Sequence, residues 1–151
     1  SKGILMSTKK PFRPFATVVA LVIVGAYYLF TGQMPDNQGE APVNLVSKAY
    51  LNQQSNVMVE FEGTVTRILP DDNEGSRHQK FIVAMPDHHT ILISHNIDLA
   101  PRIENIAVGQ PVKVSGEYEY NNRGGVVHWT HHDPVGQHPG GWIEYQGKRY
   151  Q

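Results

Sequence analysis

Residues Val57–Leu69 read VMVEFEGTVTRIL, and their alternation decides the class of fold. Val57, Val59, Phe61 and Val65 point one way, while Glu60, Glu62, Thr64 and Thr66 point the other. That is the period of a strand with one face buried and one solvated. Gly63 interrupts the run, as residues at bulges and sharp bends do. Downstream, the turn-rich Leu69–Arg77 (LPDDNEGSR) leads to a second strand, His78–Met85, and the tight turn Pro86–His89 to a third, Thr90–His95. Asn96–Gln110 fits neither period, with one short helical turn expected near Ile103–Ile106. Pro111–Tyr120 is a fourth strand: Val112, Val114, Tyr118 and Tyr120 face in, and Lys113, Ser115, Glu117 and Glu119 face out. The hairpin loop Asn121–Gly125 (NNRGG) precedes a fifth strand, Val126–His131. Trp142–Tyr145 and Lys148–Gln151 are placed to pair around Gln146-Gly147.

Short strands, a bent first one, and an irregular link between the third and fourth predict a mainly-β fold. The expected architecture is a small five-stranded, OB-fold-like barrel over residues 57–151. In such barrels ligands meet the second and third strands and the loops beside them, here Pro70–Arg77 and Asn121–Gly125.

Upstream, Asn44 is placed to cap a short helix, Leu45–Gln53, and Thr31–Pro42 is polar and rich in Gly and Pro. Residues 35–56 therefore read as linker and short helix. No charged residue occurs from Pro14 to Pro35, and Phe15–Phe30 (FATVVALVIVGAYYLF) is strongly apolar. With its extension to Met34 this segment approaches the roughly 20 residues that cross a bilayer. Residues 14–34 are thus expected to be a single N-terminal transmembrane helix. Lys2, Lys9, Lys10 and Arg13 precede it in a basic stretch over residues 1–13, with no acid. By the positive-inside rule, that stretch stays in the cytoplasm and the remainder enters the periplasm. The alternative is a signal peptide cleaved near Val24-Gly25-Ala26, but the apolar run continues through Tyr27–Phe30, which favours an uncleaved anchor.

The net charge of −1 hides a division. After residue 13, 14 acids face nine Lys and Arg, a net of −5, and all 8 His lie there too. Few cations weaken any case for unspecific nucleic-acid binding, which depends on neutralised phosphates. The absence of Cys excludes a disulfide scaffold, a thiol nucleophile, a Cys-ligated zinc site and a lipoprotein anchor.

Chemistry concentrates in His128–Trp142, HWTHHDPVGQHPGGW, which holds four of the 8 His. On a regular strand His128, Thr130 and His132 share one face, and Asp133-Pro134 lets His138 fold back. His128, His132, Asp133 and His138 are the expected ligands of a divalent ion such as Zn²⁺, Mg²⁺ or Mn²⁺. Two further strand ends carry Arg77-His78-Gln79 and Ser94-His95-Asn96-Ile97-Asp98, the latter leading to Arg102. An imidazole beside a guanidinium suits a phosphodiester, one as general acid or base and the other as phosphate ligand. His78 or His95 is the expected general base or acid, with Arg77 and Arg102 on phosphate. His88 and His89, in the turn, read as solvent-exposed. The acidic turn Asp71-Asp72-Asn73-Glu74 reads as solvated, its spacing not being that of an EF-hand loop.

The segments LPDDNEGSRHQKF, SHNIDLAPRI, GQPVKVSGEYEYN, GGVVHWTHHDP and GGWI together resemble the DUF3465 family of small bacterial proteins. The resemblance implies one compact domain behind an N-terminal hydrophobic segment and supplies no substrate. It marks Arg77, His78, Gln79, His95, Asn96, Asp98, Arg102, His128, His131, His132 and Asp133 as motif positions.

Two functional expectations follow. The first is a metal-assisted phosphodiester hydrolase, most concretely a periplasmic nuclease anchored in the inner membrane, with nucleic acid as its partner. It requires His128, His132 and one of His78 or His95 to converge on one cleft. The alternative is a non-enzymatic binding module for a small ligand, a metal ion, nucleic acid or an envelope protein. A pH sensor built on the 8 His is weaker, since no switch element is visible.

Overall fold

The structure is a computed structural model and describes residues 44–151. The basic N-terminus (1–13), the expected span (14–34) and the linker up to residue 43 lie outside the described residues. Among the described residues, no helix is long and apolar enough to cross a membrane.

The first element of the described residues is helix α1 (Leu45–Leu51), where the Asn44 side chain accepts a hydrogen bond from the Val46 backbone at 3.0 Å. This satisfies one of the amides that a helix start leaves open. Val46 and Ala49 are its buried positions. Seven strands follow: β1 (Val57–Ile68), β2 (His78–Ala84), β3 (Thr90–Asn96), β4 (Pro111–Glu119), β5 (Val126–His128), β6 (Trp142–Tyr145) and β7 (Lys148–Tyr150).

The first five strands close a barrel in the order β1-β2-β3-β5-β4-β1, and β6 and β7 extend it from β4 as a hairpin. All pairings are antiparallel except β3 with β5. Closure depends on β1 serving two partners. Its first part, Val57–Thr64, pairs with β4, and its second, Thr64–Ile68, pairs with β2. The strand must bend at the changeover, and Gly63 sits there. A Cβ on Gly63 would lie 2.4 Å from the Val83 side chain and 2.6 Å from the Ala84 carbonyl oxygen. Only a residue without a side chain lets the two strands approach so closely.

The alternation read from the sequence is the alternation of burial except at Ser115, expected to face out but buried where β6 pairs with β4 at Trp142. Val59, Phe61 and Val65 enter the core, together with Phe81, Val83, Ile91, Ile93, Val112, Val114, Tyr118, Val127 and Ile143. Two polar side chains join them, Gln79 and His95, paired in register on the inner faces of β2 and β3. They fasten the link between β3 and β4 across the barrel end. Gln79 donates to the Ile103 carbonyl (3.0 Å) and accepts from the Ile103 amide (2.9 Å), as a neighbouring strand would. His95 donates from Nε2 to the Pro101 carbonyl (3.0 Å), which leaves Nδ1 to accept from the Thr130 hydroxyl (2.7 Å). No helical turn forms at Ile103–Ile106. Ile103 is instead drawn into the core by this clamp.

The fifth strand is shorter than its sequence predicts. It ends at His128 because Trp129 adopts a left-handed backbone (φ 58°). The expected alternation through His132 therefore stops, and Thr130 and His131 are both buried.

Candidate functional site

Two outer faces of the barrel carry functional groups. The first lies over β2 and β3. Their outward residues pair as His78 with Asn96, Lys80 with Ser94, and Ile82 with Leu92. Beside them stand Arg67 and Leu69 from the end of β1 and Asn121, Arg123 and Gly125 from the β4–β5 loop. With Lys80, Ile82 and Leu92, the β1 and loop residues bound a groove of about 510 Å³. Leu69, Ile82 and Leu92 supply its apolar floor, and Arg67, Lys80 and Arg123 supply its charge. The loop wall is anchored. The Asn121 side chain accepts from the Arg123 and Gly125 amides at 2.9 and 3.0 Å, and His89 Nε2 donates to the Gly124 carbonyl at 2.7 Å. His89, expected in solvent, is half-buried and edge-on to Tyr50 at 4.8 Å.

The cations differ in what they touch. Among the described residues, Arg67 and Arg123 have no carboxylate partner, and Lys80 has only a loose one, Asp72 at 3.9 Å. Arg77 and Arg102, the cations expected to hold phosphate, are each neutralised. Arg77 Nε donates to Asp98 at 2.7 Å, and its amide donates to the same carboxylate at 2.8 Å. These bonds hold the Asp98 carboxyl below its ordinary range. Arg102 donates to Asp71. Neither arginine borders the groove.

The second face lies over β4 and β5. Glu117 stands directly opposite His128 in the antiparallel pair, and Glu119 follows Glu117 on the same side. His128 Nε2 lies 3.7 Å from Glu117 Oε1 and 3.6 Å from Glu119 Oε1, and the three donor atoms fall within 4.8 Å of one another. That nitrogen is sealed from solvent and has no hydrogen-bond partner. His138 Nε2 donates to the other Glu117 oxygen at 2.5 Å, and its Nδ1 donates to the Pro139 carbonyl at 2.8 Å. Both ring nitrogens thus face acceptors, and the Glu117 carboxylate pushes the His138 pKa up. The His138 ring also stacks on Trp129 at 4.2 Å.

The structure brings His128 to Glu117 and Glu119, two carboxylates that the sequence places on the outer face of β4, and His138 to Glu117. It does not bring His132 or Asp133 there. His132 is exposed. Asp133 organises its own loop, accepting from the amides of Val135, Gln137 and His138 at 3.0, 2.6 and 2.8 Å, and these bonds lower its pKa. His131 is buried, with Nδ1 donating to the His132 carbonyl.

The two candidates for general acid or base, His78 and His95, stand on opposite sides of the sheet. His95 is fully buried inside the barrel with both nitrogens bonded, and burial depresses its pKa. His78 sits on the outer face, its Nδ1 on the Ser76 carbonyl at 2.8 Å. Asn96 caps the following turn through the Asp98 amide at 2.9 Å. Glu117, Glu119 and His128 are not among the residues that line the groove over β2 and β3.

The family model described as "Protein of unknown function (DUF3465)" matches residues 32–151, which takes in the whole barrel and both faces. No curated protein matches the chain. By the extent of that match, the chain belongs to the DUF3465 family.

Proposed function

We propose that the barrel is a binding module of the OB type whose groove over β2 and β3 takes a small anionic ligand with an apolar body. The strand order β1-β2-β3-β5-β4-β1, with its single parallel pairing, supports the OB reading. The observation that carries the function is the groove itself: three cations around an aliphatic floor, of which two have no acidic partner among the described residues. Its volume of about 510 Å³ lies in the range of small-ligand sites. Single-stranded nucleic acid fits less well, because no aromatic side chain lines the groove for bases to stack on.

The hydrolase reading has less support. It needs acid-base groups and a metal beside the phosphate-holding cations. His95 is committed to the core, and none of Glu117, Glu119 and His128 lines the groove. A periplasmic setting on an inner-membrane tether is part of the proposal, supported by the uncharged run 14–34 and the four cations before it.

The test uses anilinonaphthalene sulfonate, an anion with an apolar body, titrated by fluorescence into the full chain. Arg67→Ala and Arg123→Ala are each expected to weaken its binding about two- to five-fold, the measure of an exposed charge pair. Competition by phosphate- and by carboxylate-bearing compounds then ranks the headgroups. Unchanged binding in the double variant overturns the proposal. Tighter, salt-dependent binding of a single-stranded oligonucleotide replaces it with the nucleic-acid reading.

A further inference from the structure

We infer that Glu117, Glu119 and His128 form a binding site for a divalent transition-metal ion of the Zn²⁺ type, separate from the groove.

The argument begins with register. Glu117 and Glu119 are two apart on β4, and His128 is the cross-strand partner of Glu117 on β5. The backbone ladder therefore delivers three donors to one side of the sheet without help from a loop. Their side chains use that placement. Glu117 Oε1, Glu119 Oε1 and His128 Nε2 converge, with the imidazole nitrogen 3.7 and 3.6 Å from the two oxygens. Those separations are too long for hydrogen bonds, so the contacts do not satisfy the nitrogen. Ligands about 2.0–2.2 Å from a tetrahedral ion sit about 3.3–3.6 Å from one another, close to the two nitrogen–oxygen separations, while the two carboxylate oxygens lie within 4.8 Å.

The second observation is the state of His128 Nε2. It is cut off from solvent and has no hydrogen-bond partner, which is costly for a buried polar atom. A cation at the centre of the triangle satisfies it and separates the two carboxylates. The third is the orientation of Glu117. His138 holds its Oε2 at 2.5 Å, which turns Oε1 toward His128. Donor groups that fix a ligating carboxylate in this way accompany many metal sites. One imidazole with two carboxylates suits Zn²⁺ or Mn²⁺ better than Ca²⁺, which takes six to eight oxygens.

The test is Co²⁺ and Zn²⁺ binding by the full chain, freed of metal with a chelator and then dialysed. Co²⁺ is read by its visible absorption and Zn²⁺ by competition against it. One equivalent of Co²⁺ with tetrahedral-type absorption is expected. Glu119→Gln, which keeps the side-chain shape, and His128→Ala should each weaken uptake at least tenfold. His132→Ala should leave it unchanged. Near-UV circular dichroism and thermal unfolding of all three variants should match the parent chain, which shows them folded. No uptake at equimolar Co²⁺, or uptake indifferent to both ligand substitutions, overturns the inference. Uptake abolished by His132→Ala moves the site to the 131–138 loop and overturns it as well.

Discussion

The β2–β3 face and the β4–β5 face carry opposite chemistry on one small barrel. On the first, Arg67, Lys80 and Arg123 gather around aliphatic side chains. On the second, Glu117 and Glu119 gather around an imidazole. The assembly differs too. The groove draws on the end of β1, two strands and a loop, so it exists only once the barrel has closed. The His/Glu group needs only the local pairing of β4 with β5. Two faces of opposite charge can thus stand on one barrel of about 100 residues, because a closed sheet turns its outward side chains in different directions.

The strongest way to break the comparison is to open the barrel. Gly63→Val puts a side chain into the Ala84 carbonyl, a backbone atom that cannot step aside. It is expected to cost about 3 kcal/mol or more and to lower Tm by on the order of 10–20 °C, read by thermal unfolding. Anilinonaphthalene sulfonate binding should fall with it. A stable variant with an intact groove would show that β1 does not need its bend.

His95→Ala acts at the barrel end between the two faces. It leaves the Pro101 carbonyl and the Thr130 hydroxyl without their partner and opens a cavity, at a cost of about 2–4 kcal/mol by denaturant unfolding. The same residue sets a pH dependence. Burial puts the native pKa of His95 below its ordinary 6.5, so the unfolded chain binds the extra proton first. Its contribution is complete above about pH 6.5 and is lost as pH falls toward the native value, by at most about 1.4 kcal/mol per pH unit. Parent chain minus His95→Ala, followed from pH 8 to pH 5, isolates that slope. A difference that grows as pH falls contradicts the buried, neutral assignment.

The smallest effect sharpens the comparison within the arginines. Arg67→Ala should weaken groove binding by about 0.5–1 kcal/mol, whereas Arg77→Ala and Arg102→Ala should change it by less than about 0.3 kcal/mol. Equal effects at all three positions would mean that general charge, not the groove, attracts the anion.

Much of this molecule was legible before any coordinate. Alternation located the strands because one face of each meets the core and the other meets water. Glu117 and Glu119 were placed on the outer face of β4 for that reason, as was the bend at Gly63 for lack of a side chain. Asn44 was readable as a cap from its residue type alone. The site residues were less legible. Arg77, Arg102, His95 and Asp133 drew notice as chemistry-bearing side chains beside turns. Their partners are Asp98, Asp71, Pro101 with Thr130, and the amides of their own loop, and these bonds hold the structure together.

Which residues alternate, which segment is an uncharged apolar run and which side of most strands is polar are settled by the sequence, because these are properties of neighbours along the chain. Only the tertiary structure decided which cations keep their charge free and which imidazole meets which carboxylate. Arg67 and Arg123 are 56 positions apart, yet they border one groove because β1 and the β4–β5 loop come together when the barrel closes. The left-handed turn at Trp129 likewise separates His128 from His132, which regular alternation would have set on one face.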